Sequence, residues 1–109
     1  SMAVTYDQIC EYHAELSTHD DPVLLRLEDE ARRERFPIIG PAAGKFLYLM
    51  ARAIGARRIF ELGSGYGYST LWFARAVREN GGGEVHHTVW DEGLHQRARA
   101  NVAEAGYDD

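Results

Sequence analysis

RIFELGSGYGYST, residues 58–70, is the stretch that decides the fold of this chain. A short apolar run carries one acid near its end, three glycines follow at alternate positions, and residues 69–77 begin an amphipathic segment. This order predicts a strand, a tight glycine turn and a helix. Glycines permit backbone angles with positive φ and a close approach of a ligand, and the free N–H groups at a helix start suit a negatively charged group. The stretch therefore predicts a small-molecule site.

The residues around the glycines bear on which ligand the turn serves. The dinucleotide fingerprint G-x-G-x-x-G/A needs Gly or Ala three positions after Gly65, where this chain has Tyr68. The acid at the strand end, Glu61, is poorly suited to a pyrophosphate and well suited to an ammonium group. A fragment of an NAD(P)-dependent oxidoreductase therefore remains only as an alternative interpretation.

Residues 61–67, ELGSGYG, resemble the first motif, E/D-x-G-x-G-x-G, of class I S-adenosylmethionine-dependent methyltransferases. The continuation GYS, residues 67–69, resembles the catechol and caffeoyl-CoA O-methyltransferase branch. The resemblance implies that the glycine loop lies against the methionine and ribose part of S-adenosylmethionine, with the acid near the ammonium group. The cofactor-binding residues that it implies in this stretch are Glu61, Gly63, Ser64, Gly65, Tyr66, Gly67, Tyr68 and Ser69.

Two further positions follow from the same resemblance. Residues 39–44, IGPAAG, are similar to a segment that borders the cofactor, which makes Ile39 a wall residue. In nucleoside-binding βαβ folds an acid after the second strand usually takes the ribose hydroxyls, but here Val89 stands at that position and Asp91 follows two residues later. Either a local shift lets Asp91 or Glu92 reach the ribose, or the hydroxyls are held otherwise. Asp91 is equally well interpreted as a ribose ligand or as the N-cap of the next helix.

The chain order predicts an α/β fold with N-terminal helices and a partial Rossmann-like parallel sheet, β-α-β-α. We expect an N-terminal helical segment over residues 1–36 and the first half of a methyltransferase domain over residues 37–109. Helices are predicted over 5–17, 22–35, 41–54 and 91–106, and the second strand over 84–90. Residues 28–35, EDEARRER, mix charges at helical spacing, which is typical of a solvated face. The apolar stripe of the third helix is expected in the core.

The resemblance extends over about residues 36–107, the N-terminal half of such an enzyme, which suggests a truncated form or fragment. The later strands, which would carry the acceptor pocket and, in cation-dependent members, the ligands of a divalent cation, have no counterpart here. We therefore expect this chain to be the cofactor-binding portion of an O-methyltransferase that transfers a methyl group to a hydroxyl of a small molecule. We expect this portion to be inactive on its own. Because a two-stranded sheet leaves edges and apolar faces open, we also expect a homo-oligomer, with exchange of elements as one route.

Composition narrows the functional class. A formal net charge of −5 with no large basic cluster argues against a nucleic-acid surface, and the chain has no apolar run of membrane length or signal-peptide core. The single cysteine, Cys10, excludes an internal disulfide, and we expect a cytoplasmic protein. His86 and His87 are adjacent on a predicted strand and point to opposite faces, so we expect no metal site there. A non-catalytic interaction domain that keeps this fold remains the third interpretation.

Overall fold

The computed structural model describes residues 3–63 and 65–107, without the side chains of residues 13 and 14. The elements of the described residues are α1 (Tyr6–Leu16), α2 (Pro22–Glu34), α3 (Gly40–Ala53), β1 (Arg58–Leu62), α4 (Tyr68–Glu79), β2 (Glu84–Thr88) and α5 (Glu92–Glu104). The predicted order of elements is confirmed, although β2 ends two residues earlier than the sequence predicts.

The two strands form a parallel sheet with α4 as the connection between them. Arg58 is the partner of Glu84 at one end of the register, and Leu62 is the partner of Thr88 at the other. Because the strands are parallel and in register, the glycine loop after β1 and the segment after β2 leave the sheet at the same edge. This arrangement confirms the predicted partial α/β fold.

Capping groups explain where two helices begin. The Asp21 side chain accepts hydrogen bonds from the backbone N–H of Val23 at 3.0 Å and of Leu24 at 3.1 Å, and Pro22 occupies the first turn of α2. Asp91 caps α5 in the same way, through a 2.9 Å bond from the N–H of Leu94. Both helix starts agree with the sequence prediction.

The main apolar core joins α2 to the start of α4. Its buried residues are Val23, Leu24, Leu27, Tyr66, Tyr68, Leu71 and Trp72. Residues 28–35 were expected to form a solvated face, but Glu28 is only 8% exposed. The reason is geometric, since Glu28 lies one turn after Leu24 and so shares the face of α2 that meets the core. Most of the remaining charges of this segment are exposed, as predicted.

The third helix packs on α4 through a small residue. A Cβ at Gly44 would collide with the indole ring of Trp72, so the absence of a side chain lets the two helices approach closely. The expectation that the apolar stripe of α3 lies in the core is wrong for much of its length, because Phe46 is 61% and Ile54 is 75% exposed. That part of the stripe faces away from α4, and no other described element covers it.

Candidate cofactor site

A cavity of about 500 Å³ lies at the sheet edge where both strands end. Three segments surround it: the linker before α3, the glycine loop after β1, and the segment between β2 and α5. In open parallel sheets this carboxyl edge is where ligands bind. The lining residues are Phe36, Pro37, Ile38, Ile39, Gly63, Gly65, Tyr66, Tyr68, Ser69, Val89, Trp90, Asp91 and Leu94.

Two glycines of the loop cannot be replaced without strain. Gly65 has φ of 59°, and a Cβ there would lie 3.0 Å from the ring of Phe36. Gly67 has φ of 98° as the N-cap of α4, and its Cβ would lie 3.4 Å from the backbone of Ala98. Positive φ at both positions strongly favours glycine. The alternating glycines therefore shape the loop and bring it close to the linker and to α5.

The motif acid, Glu61, is turned toward the first turn of α4. One of its carboxylate oxygens accepts a hydrogen bond from the Ser69 hydroxyl, and the other accepts from the Thr70 hydroxyl at 2.5 Å. The Nδ1 atom of His87 lies 3.8 Å from the same carboxylate, whose side chain is 10% exposed. Ser69 lines the cavity, so the acid reaches the cavity through a hydroxyl that it orients.

The two tyrosines of the loop are anchored to α2. The Tyr66 hydroxyl donates to the backbone carbonyl of Leu27 at 3.2 Å, and the Tyr68 hydroxyl donates to Glu28 Oε2 at 2.7 Å. Burial raises the pKa of Tyr66, and burial followed by the hydrogen bond to Glu28 raises the pKa of Tyr68 strongly. Both tyrosines therefore contribute to the lining as neutral residues whose hydroxyls are hydrogen-bonded to α2.

The cavity brings together most of the residues that the sequence predicted. Ile39, Gly63, Gly65, Tyr66, Tyr68, Ser69 and Asp91 line it. Glu61 and Gly67 lie behind this lining, and Ser64 falls outside the described residues. Asp91 caps α5, which is one of the two roles considered for it, and its position in the lining keeps the ribose role as a prediction.

The sequence prediction missed several apolar wall residues. Phe36, Pro37, Ile38, Trp90 and Leu94 line the cavity without having been assigned to it. Trp90 is fully exposed and directly precedes Asp91, so its place after the second strand was the signal that could have identified it. A solvent-exposed indole at the cavity rim offers an apolar surface for a planar ring.

A second cavity, of about 400 Å³, lies between α4, β2 and α5. It extends to Gly82 and Gly83, at the amino end of β2, and does not include the described glycines of the loop. The candidate site is therefore the cavity at the carboxyl edge. Among residues 3–63 and 65–107, no cluster of three or more His, Cys, Asp or Glu side chains could hold a metal ion.

Comparison with known proteins places this geometry in a family context. Residues 60–109 match the Methyltransf_24 family, described as a methyltransferase domain. The chain is 37% identical over 78 residues to a catechol O-methyltransferase of Niastella koreensis, an alignment that covers 70% of this chain and 35% of the relative. It is 36% identical over 95 residues to a putative O-methyltransferase of Mycolicibacterium vanbaalenii, covering 86% of this chain and 41% of the relative.

Solved structures agree with these relatives. The O-methyltransferase TomG from Streptomyces achromogenes, crystallised with S-adenosylmethionine (SAM), matches with a TM-score of 0.77 and 31% identity over 92% of this chain and 45% of TomG. An O-methyltransferase from Bacillus cereus in complex with SAH, S-adenosylhomocysteine, matches with a TM-score of 0.79 and 30% identity, covering 92% of this chain and 46% of that one.

The predicted family resemblance is thereby confirmed, and the chain spans about half the length, or less, of these relatives. The matches reported above are methyltransferases and give no support to the oxidoreductase interpretation. None of the helices in the described part of the chain is both long and apolar enough to cross a lipid bilayer.

Proposed function

We propose that this chain, which is similar to part of the S-adenosylmethionine-dependent O-methyltransferases, binds S-adenosylmethionine in the cavity at the carboxyl edge of β1 and β2. The complete enzyme would transfer a methyl group to the hydroxyl oxygen of a small molecule. The observation that carries the proposal is the glycine loop itself, whose positive-φ residues Gly63 and Gly65 line this cavity. When bound, S-adenosylmethionine supplies an electrophilic methyl group on its sulfonium.

The cavity suits this cofactor in size and in polarity. Its volume of about 500 Å³ falls within the usual range of small-molecule sites. Gly63 and Gly65 present backbone without side chains, so the methionine part of the cofactor would lie directly against the loop. The start of α4 provides N–H groups for its carboxylate, and the Ser69 hydroxyl, oriented by Glu61, provides a polar contact beside them.

The other end of the cavity suits the nucleoside. A carboxylate can accept about four hydrogen bonds. Asp91 would therefore accept hydrogen bonds from the ribose hydroxyls in addition to the one that it accepts as the N-cap of α5. Trp90 would provide a face for the adenine ring, and Ile39 would close the opposite wall. In this proposal Glu61 and Gly67 act from behind the lining, by holding the start of α4.

The remaining chemistry belongs to the complete enzyme. Activation of the acceptor hydroxyl needs a general base or a divalent cation, and our proposal assigns both to residues beyond those described here. We expect the chain alone to bind the donor without catalysing methyl transfer. A cytoplasmic location is part of the proposal, in keeping with a single cysteine and no disulfide requirement.

We further propose that copies of this chain associate, with exchange of elements as one route. Phe60 and Leu62 on one face of β1 are 67% and 78% exposed, and Phe46 and Ile54 expose the apolar stripe of α3. Such a surface tends to be covered in solution. Light scattering at moderate concentration should give a mass above 12.3 kDa, and a mass of one chain would contradict this part of the proposal.

Isothermal titration with S-adenosylhomocysteine tests the cofactor site. We expect binding by the wild-type chain and its loss in Glu61→Ala and Gly65→Val. Matched controls are Glu84→Ala, an exposed strand acid, and Gly55→Val, a glycine with φ of 64° and nothing near its absent side chain. Both controls should bind as the wild type does.

The same titration separates the competing interpretations. Heat with NAD but none with S-adenosylhomocysteine would favour the oxidoreductase alternative. A folded wild-type chain that binds neither cofactor would contradict the proposed site and favour the interaction-domain alternative. Circular dichroism of each sample establishes that the chain is folded before titration.

A further inference from the structure

We infer that Glu28, on α2, is a positioning residue for the donor site: it fixes Tyr68 and thereby the glycine loop against which the cofactor would lie. This inference rests on the proposed function for the ligand, but Glu28 itself lies outside the cavity lining. Glu28 is a buried acid to which neither the motif nor the family resemblance assigns a role.

The carboxylate of Glu28 is buried and is held by two neighbouring side chains. A single carboxylate oxygen, Oε2, receives the Tyr68 hydroxyl at 2.7 Å and lies 2.7 Å from His19 Nε2. The side chains of His19 and Glu28 are 7% and 10% exposed, so water has little access to either group. Two donors on one oxygen restrict the rotation of the carboxylate more than one donor would.

His19 is itself held in one tautomer. Its Nδ1 atom accepts a hydrogen bond from the backbone N–H of Asp21 at 3.2 Å, so a neutral ring carries its proton on Nε2. That proton points at Glu28. The ring also contacts Trp72 edge-on, with 5.3 Å between ring centroids. The backbone before α2 therefore orients His19, and His19 orients Glu28.

Tyr68 transmits this constraint to the site. It is 2% exposed, opens α4, and follows the N-cap Gly67 directly. Tyr68 belongs to the cavity lining, while its hydroxyl is bonded to Glu28, which is not a lining residue. A shift of the Tyr68 ring would move both the cavity wall and the first N–H groups of α4, which the proposed function assigns to the cofactor.

Removing the acceptor without removing volume tests the inference. Glu28→Met keeps a side chain of similar length but leaves the Tyr68 hydroxyl without this acceptor, and Glu28→Gln restores an acceptor oxygen. We expect Glu28→Met to weaken S-adenosylhomocysteine binding about tenfold, and Glu28→Gln to recover most of the affinity. The matched control is Asp29→Leu, which removes a carboxylate from the same helix, one that pairs with the exposed side chains of Arg32 and Arg33.

A double-mutant cycle shows whether Glu28 acts through Tyr68. We expect Tyr68→Phe to weaken binding by a similar factor, and Glu28→Met to add little in the Tyr68→Phe background. Additive losses, or equal affinities of Glu28→Met and Asp29→Leu, would overturn the inference.

Amide hydrogen exchange on the ligand-free chain tests whether Glu28 holds the glycine loop in place. Glu28→Met should speed exchange of the hydrogen-bonded amides 71–74, which bond back to residues 67–70, about tenfold while those of β2 keep their wild-type rates. A uniform increase over all amides would indicate a purely structural role and overturn the inference. If the wild-type chain binds no S-adenosylhomocysteine, the proposed function fails, while the exchange pattern still decides whether Glu28 positions the loop.

Discussion

The side-chain amide of Asn101, on α5, donates a 2.9 Å hydrogen bond to the backbone carbonyl of Tyr66 in the glycine loop. The same side chain accepts a 2.8 Å hydrogen bond from Arg26 on α2 through its oxygen. Asn101 is 6% exposed, so both bonds are shielded from water. One residue thus connects the loop to the helices that precede and follow the sheet.

Replacing Asn101 should loosen the loop as well as the fold. Asn101→Ala leaves the Tyr66 carbonyl buried without this donor, which typically costs about 1–3 kcal/mol. We expect a lower free energy of unfolding, measured by urea titration, together with weaker S-adenosylhomocysteine binding. The control is Asn80→Ala, which removes comparable bonds to the carbonyls of Ala51 and Ala56 far from the loop. Unchanged cofactor affinity in Asn101→Ala would contradict this expectation.

Gly67 offers a separate test of the backbone of the loop. With φ of 98°, Gly67→Ala forces a side chain into a left-handed conformation at a cost of about 1–2 kcal/mol. Its new Cβ would lie 3.4 Å from Ala98 on α5, an ordinary contact distance, so the backbone strain at the start of α4 is the main effect. We therefore expect Gly67→Ala to have a lower unfolding temperature and weaker cofactor binding than the wild type, measured by thermal unfolding and by titration.

The control for Gly67 is a glycine with similar backbone angles in a different place. Gly81 has φ of 107° in the turn before β2, with nothing within 4 Å of a built Cβ. Gly81→Ala should lower the unfolding temperature and leave cofactor affinity unchanged. Equal effects of the two substitutions on affinity would show that the loop conformation does not govern binding.

Alkaline pH should destabilise the chain through its buried tyrosines. Burial raises the pKa of Tyr66, Tyr68 and Tyr107 in the folded state, whereas tyrosines of the unfolded chain ionise near ~10. Above that pH the unfolded state releases protons that the folded state keeps, so the free energy of unfolding falls as pH rises. Below it, this contribution to stability is fully present.

The variant Tyr68→Phe isolates one of these groups. Above pH ~10, the free energy of unfolding of Tyr68→Phe should fall less steeply with pH than that of the wild type. One titrating group fewer makes the two slopes differ by up to about 1.4 kcal/mol per pH unit. Urea unfolding at a series of pH values measures this slope. Phe60→Leu, which changes an exposed aromatic residue that does not titrate, should keep the wild-type slope. Parallel slopes for wild type and Tyr68→Phe would refute this assignment.

Local signals explain why much of the fold could be predicted. Asp21 followed by Pro22, the three alternating glycines, and Asp91 before an apolar stripe each specify a helix start or turn by chemistry within a few residues. The parallel pairing follows from the β-α-β order. These features need no knowledge of distant contacts.

The burial of individual side chains was harder to predict, because it depends on which residues from distant parts of the sequence pack against them. Glu28 belongs to a charged run, yet it lies on the core-facing side of α2, where Tyr68, forty positions later, supplies a hydroxyl to it. Phe46 belongs to an apolar stripe, yet it is exposed because no described element covers that face. The direction of the Glu61 carboxylate, toward Ser69 and Thr70, likewise depends on where α4 begins.

Trp90 provides the most direct optical test of the nucleoside end of the site. It is fully exposed at the cavity rim, whereas the other tryptophan, Trp72, is 1% exposed in the core. If adenine stacks on Trp90, S-adenosylhomocysteine should quench the emission of the exposed indole and shift the remaining spectrum toward that of the buried one.

Trp90→Leu should abolish this change and weaken binding by about 1–3 kcal/mol, the usual contribution of a base stacked on an aromatic ring. Phe60→Leu, at a 67% exposed aromatic residue of β1 outside the cavity lining, should leave both the quenching and the affinity intact. Quenching that persists in Trp90→Leu would place the adenine elsewhere, since the remaining indole lies in the core.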